Sequence, residues 1–204
     1  MKISKKLTAI FALLILALAT SCVETVIVGS VAGSALVLRH KTVEETKNDA
    51  VIGAKLAKEF LHNGLKNPGN SVDFTVNEGR VLLTGVAREA SKAKMAQDLA
   101  WAIPGVKEVI DEIQIRDEEK LRMRDVFVAT RDYLITAEAE TKILFARDVA
   151  SLNYKITTVS GVIYLIGVAD NDFELRRVLS IASKIRGVTR VVNHVILRDD
   201  RRRS

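Results

Sequence analysis

Apolar and polar residues alternate from Val72 to Val76, Asn77-Glu78-Gly79 breaks the run, and extended character resumes from Arg80 to Thr84. This pattern predicts a β-hairpin. Tyr154 to Thr158, Val159-Ser160-Gly161 and Val162 to Ile166 write the same hairpin again. Ahead of each lies a helical period. Ile52, Leu56 and Phe60 recur at spacing four, as do Ile135, Ala139 and Ile143, and each set is the inner stripe of an amphipathic helix. Asp49 and Asp132 stand at the expected starts of these helices, where aspartate is a favoured N-cap. Behind each hairpin a second helix is predicted, Ala90 to Ile103 and Asp172 to Ile185, and then a closing strand, Val106 to Ile115 and Val188 to Leu197.

The spacing between copies is regular. Gly79 and Gly161, Gly85 and Gly167, Gly105 and Gly187, and Val109 and Val191 all lie 82 residues apart. One unit of about seventy residues therefore occurs twice. The fold class expected is α+β, with two tandem α-β-β-α-β units, each a three-stranded mixed sheet covered on one face by two helices. Units this small bury only about 60% of their unfolded surface, so the two are expected to pack on one another. The repeated glycines read as turn and strand-end positions; with no Lys-Ser/Thr following, they do not form a nucleotide loop.

The chain divides further at its ends. Lys2, Lys5 and Lys6 precede an apolar run from Leu7 to Leu18, too short to span a bilayer, and small residues lead to Cys22, the only cysteine. Leu18-Ala19-Thr20-Ser21-Cys22 resembles a bacterial lipobox, with Ala19 where leucine is usual; the resemblance implies cleavage before Cys22 and its acylation. Val23 is not the aspartate that retains lipoproteins in the inner membrane, which implies the outer membrane, periplasmic side. The segments expected are a signal peptide (1–21), a lipidated N-terminus and tether (22–45), a first domain (46–115), a linker (116–124) that could extend the next helix, a second domain (125–197) and a basic tail (198–204).

Removing residues 1–21 takes the net charge from +6 to +3, and the tail supplies much of what is left. The high isoelectric point is thus poor support for a nucleic-acid partner.

Asp49 and Ile52, then Gly79, Val81, Leu83 and Gly85, then Gly105, Val106 and Val109 form an ordered motif set. Asp132, Ile135, Gly161, Ile163, Leu165, Gly167, Gly187, Val188 and Val191 repeat it. The set resembles the BON domain, and two such domains behind a lipobox are similar to the DolP-like family of dual BON-domain outer-membrane lipoproteins. The resemblance implies an anionic phospholipid membrane as partner and a role in envelope integrity.

Catalysis finds little material. His40, His62 and His194 share no repeat position and no metal-type spacing, and no cysteine or serine nucleophile is set up. His194 reads as an ordinary edge residue; no enzyme, cofactor or metal is expected. Positions that are apolar in one copy only are the better guide to function. Tyr133 and Leu134 suit a headgroup boundary. Arg176, Arg177, Lys184 and Arg186 replace a first copy that has only Lys94 at those places, and read as phosphate-binding groups. Trp101 stands off its helical stripe and Leu179 is apolar where the first copy has Gln97; both read as contacts with a partner or between the two units. The competing reading is a lipid-tethered scaffold for envelope proteins that ignores headgroup charge.

Overall fold

The computed structural model describes residues 43–67, 69–116 and 123–203, which all belong to one compact unit. The expected signal peptide, Cys22, the tether, His40 and residues 117–122 of the linker lie outside the described residues.

Each repeat places its elements in the expected order. Helix α1 (Val43–His62) leads to strands β1 (Ser71–Asn77) and β2 (Arg80–Ala87), helix α2 (Ala90–Trp101) and a closing strand broken into β3 (Glu108–Asp111) and β4 (Gln114–Ile115). The second repeat runs through helix α3 (Met123–Leu144), strands β5 (Tyr154–Val159) and β6 (Val162–Ala169), helix α4 (Asp172–Ser183) and strand β7 (Arg190–Leu197). In each sheet the hairpin is antiparallel and the closing strand adds parallel to its second strand: β1-β2-β3 with β4 also on β2, and β5-β6-β7.

Helices cover one face of each sheet. Ile52, Leu56 and Phe60 from α1 meet Ala93, Ala96 and Ala100 from α2 over Val81 and Leu83; Ile135, Ala139 and Ile143 meet Val178 and Ala182 over Ile163 and Leu165. The small alanines let the helices lie close to the strands.

Both helix starts differ from the sequence expectation. Asp49 and Asp132 lie inside α1 and α3 and cap neither, since each helix begins earlier. Their buried carboxylates instead grip the hairpin turns. Asp49 accepts from the backbone N–H groups of Glu78 (2.8 Å) and Gly79 (2.9 Å); Asp132 accepts from those of Ser160 and Gly161. Both central residues of each turn have positive φ, 54° and 79° at Glu78-Gly79 and 54° and 78° at Ser160-Gly161. Positive φ at both places is the signature of the I′ turn that matches strand twist, and it costs a non-glycine residue strain that the aspartate offsets. The turn carbonyl then anchors the closing segment: Gly79 O accepts from Lys107 N–H and Gly161 O from Thr189 N–H, both at 2.8 Å.

Gly85 and Gly167 do not end their strands. They sit inside β2 and β6 opposite Val72 and Tyr154, where a Cβ would stand 2.0 Å from Ser71 O and 2.2 Å from Asn153 O. Close approach of the partner strand is what demands glycine.

The faces that the helices leave open pack against each other. Leu82, Tyr164 and Ile166 are buried there with Ile110, Val159, Val162 and Val192 around them, giving layers in the order helices, sheet, sheet, helices. Equivalent residues of the two copies meet: Leu82 shares this cluster with Tyr164, the Thr75 and Thr157 hydroxyls are 3.3 Å apart, and Glu112 Oε1 lies 2.9 Å from His194 Nε2. Each pair is 82 residues apart, so the contact is isologous about a pseudo-two-fold axis. His194 is therefore an inter-unit residue and not an ordinary edge residue. Arg80, buried in this contact, donates to Glu108 and to His194 O.

The tail is part of the fold too. Residues Arg201–Arg203 form a 3-10 turn whose Arg203 donates twice to the buried Glu78 carboxylate, at 2.8 and 3.0 Å. The twin end of the first unit does the corresponding thing, Arg116 donating to Ser160 Oγ. Each hairpin turn is thus held from inside by its own aspartate and from outside by an arginine of the other repeat.

Thr84, twin of Ile166, buries its hydroxyl without a hydrogen bond. Thr84→Val should therefore raise stability by about 1 kcal/mol, read as a higher urea midpoint at unchanged m-value. Asp49→Ala should lower stability by about 2–4 kcal/mol, because two buried N–H groups lose a charged acceptor; the same titration measures it.

A candidate membrane-facing site on the second unit

The candidate residues of the second unit lie on α3 and α4, which cover the outer face of its sheet. Tyr133 and Leu134 are 72% and 61% exposed, beside the inward Ile135. They belong to a longer feature. At 100° per residue, Phe127, Leu134 and Phe145 fall within about 20° of one line along α3 and its end. Tyr133 and Leu144 fall within about 20° of a second line, and Thr130, Ala137 and Thr141 lie between the two. All five large residues are exposed. The Thr141 hydroxyl donates to Ala137 O at 2.7 Å, so its polarity is satisfied within the helix.

This outward arc carries no charged residue over about 27 Å. Glu138 and Glu140 border it, each about 20° beyond an edge, and Arg131 and Lys142 lie farther out. Helix α3 thus has two apolar faces, one on its own core and one bare. The first repeat has no such face: the positions of Phe127, Thr130, Thr141 and Phe145 are held there by Glu44, Lys47, Lys58 and His62.

The basic candidates fall into two groups. The first half of α3 lies beside the loop after α4, where Ile135 Cδ1 would be 3.3 Å from a Cβ on Gly187. Lys184 and Arg186, both exposed, therefore belong to the Tyr133–Leu134 end. The segment after α3 meets the start of α4 through buried Glu174, which accepts from Ala150 N–H (2.7 Å) and Asp170 N–H (2.6 Å). Exposed Arg176 and Arg177 follow Phe173 by three and four residues, sharing its side of the helix nearer to Phe145. The four cations therefore form two pairs separated along α4 by roughly 10 Å.

Trp101 and Leu179 take no part in the sheet-on-sheet cluster. Trp101 is 55% exposed at the end of α2, and Leu179 packs against the core of its own unit.

Asn171 caps α4 by accepting from Glu174 N–H at 3.0 Å, so Glu174 and Asn171 together fix the end of the helix near Phe173. Burial, and next the charge of Glu174, push the Tyr154 hydroxyl far above its ordinary value; it stays protonated and acts as a core residue. Among the described residues no cluster of three or more His, Cys, Asp or Glu could hold a metal ion, and no helix is long and apolar enough to cross a membrane.

The repeated grip of an aspartate on a glycine turn, in two units of one topology, coincides with two matches to the family model described as BON domain, over residues 48–117 and 131–199. The chain belongs to the BON-domain family. Its BON units are similar to those of several known proteins. An uncharacterized protein in the gshII 5′ region of Anaplasma centrale is 35% identical over 156 residues, covering 76% of this chain and 99% of the relative. The osmotically-inducible protein Y of Escherichia coli (strain K12) is 29% identical over 147 residues, covering 72% of this chain and 71% of that one. A 21 kDa hemolysin of Actinobacillus pleuropneumoniae is 26% identical over 145 residues, with 71% and 72% covered.

Phe127, Phe145 and Phe173 of the second BON unit extend the site beyond the residues chosen from sequence. Aligning the two copies position by position would have exposed them, since their BON-unit twins are Glu44, His62 and Ser91. Because none of the outward side chains holds the fold, Leu134→Asn and Phe145→Ser should each change the free energy of unfolding by no more than about 0.5 kcal/mol, checked by chemical denaturation.

Proposed function

We propose that the protein is an envelope protein whose second BON unit lies on an anionic phospholipid membrane through the outer face of α3. The observation that carries this reading is the uncharged outward arc from Phe127 to Phe145, absent from the first BON unit. A bare apolar stripe on a helix whose other face is already buried suits an interface in which side chains enter the acyl boundary and flanking cations stay with the headgroups. Tyr133 and Leu134 insert; Lys184 and Arg186 at one end and Arg176 and Arg177 at the other engage phosphates, each worth about 1 kcal/mol near an anionic surface. Acylation of Cys22 would hold the chain on the periplasmic side of the outer membrane, and the folded units would then read the lipid surface at short range. Support of envelope integrity is the role this reading assigns, in keeping with a relative named for osmotic induction. Trp101, exposed on the first BON unit, remains free to meet an envelope protein from the same tether.

Flotation of residues 43–204, which contain both complete cores, tests the reading. Binding should be confined to anionic vesicles and weaken as salt rises. Leu134→Asn with Phe127→Ser should reduce it by about tenfold or more, the equivalent of 1.4 kcal/mol. Equal binding to zwitterionic vesicles would reject the headgroup assignment, and no binding to either would leave the acyl group as the sole anchor.

A further inference from the structure

The two hairpin turns share a backbone conformation and differ in charge. Around the first, Glu78 is paired with Arg203, Glu108 with Arg80 and Arg202, and the charge of Glu45 also acts on Arg203. Anions and cations are matched. At the second turn the twins of Glu78, Glu108 and Glu45 are Ser160, Arg190 and Val128, and Asn48 has become Arg131. Three carboxylates are gone, while Arg131 and Arg190 are gained where Arg80 and Lys107 have become Val162 and Thr189.

Two of the cations reach the turn, and the third stands beside it in sequence. Arg116 reaches Ser160 Oγ from the first unit, and its other partner is the neutral Gln114 Oε1. The Arg131 guanidinium lies over Gly161, so close that a Cβ there would be 2.6 Å from Nη2. Arg190 starts β7 one residue after Thr189, whose N–H and hydroxyl both donate to Gly161 O. Among the described residues none of these three arginines has an acidic partner. Asp132, the acid that reaches the turn, has its two oxygens engaged by the amides of Ser160 and Gly161.

We propose that Arg116, Arg131 and Arg190, with the Ser160 hydroxyl, form a binding site for a phosphate-type anion at the junction of the two units. The first turn supplies the precedent within the same chain: there the carboxylate of Glu78 receives two N–H groups of an arginine from the other repeat. A bound phosphate would take that carboxylate's place on Arg116, with Arg131 closing on it from α3; paired guanidinium donors suit such an oxyanion. Leu134 follows Arg131 by three residues and shares its side of α3. Assigning that phosphate to a lipid headgroup rests on the membrane reading above, whereas the site itself does not.

Ser160→Glu gives the decisive variant. Its φ of 54° is the φ at which Glu78 is accommodated in the twin turn, so the new carboxylate can pair with Arg116 and fill the site from within. With 15N-labelled residues 43–204 and inorganic phosphate, the amides of Ser160, Gly161 and Arg116 should show saturable shifts. Ser160→Glu and Arg131→Gln should each weaken binding about tenfold or more, and Ser160→Glu should melt no lower than the parent. Anionic vesicles that displace the phosphate identify the source as a headgroup; phosphate binding that persists beside such vesicles identifies a soluble phosphate ester, and either result keeps the site. No saturable shift at these amides, or unchanged affinity in both variants, overturns it. Failure of the membrane reading would show separately, as lost flotation with phosphate binding intact.

Discussion

A buried carboxylate holding a two-residue turn is the constraint on which each repeat depends. Asp49 and Asp132 come from the middle of a helix and satisfy two amides at the tip of a hairpin. The bond fixes how far the helix can slide over the sheet, because the aspartate and the inward Ile52 or Ile135 sit on one side of the helix. It also stabilises positive φ at Glu78 and Ser160, residues that would otherwise resist it. The turn carbonyl passes the constraint on to the closing strand. Helix, hairpin and final strand are thereby set relative to one another by a few hydrogen bonds of high value, since a buried amide left without an acceptor is costly.

The second constraint is that each sheet has two faces and only two helices. A three-stranded sheet in a unit of seventy residues cannot leave Leu82, Tyr164 and Ile166 in water, and the twin sheet is the cover at hand. Because the covers are copies, the contact is symmetric, and symmetry brings equivalent residues together. Divergence between the copies then has a direct meaning. Glu112 facing His194 and Arg80 reaching His194 O make the contact specific for one copy of each kind. With the sheets occupied by each other, function is left to the outer helices and to the junction. There the copies part: the outward side of α1 is charged, that of α3 is bare, and the matched ions at the first turn give way to unmatched arginines at the second.

Much of this was legible beforehand. The 82-residue offset, the spacing-four stripes and the glycine turns predict the element order, and the order came out as expected with small changes at the ends: α2 stops at Trp101, and the first closing strand is interrupted at Glu112-Ile113. Local periodicity and turn chemistry are carried by neighbouring residues, which is why they can be read in line. Tyr133 and Leu134 were legible because they directly precede the inward Ile135 and so fall off the core stripe. Phe145 escaped because it falls past the end of a helix, where period alone gives no face.

Sequence by itself determined the duplication, the α-β-β-α-β order, the inner stripes and the family resemblance, since each follows from spacing along one chain. Only the tertiary structure decided the rest. Asp49 looks like an N-cap from its neighbours and proves to be a turn clamp because its partners are about thirty residues away. Arg201–Arg203 look like a solvated tail and prove to be a clasp because Glu78 lies 125 residues from Arg203. His194 looks like an edge residue until the second sheet is laid on the first. In each case the deciding partner is distant in sequence, and a side chain's role is set by what the fold brings against it.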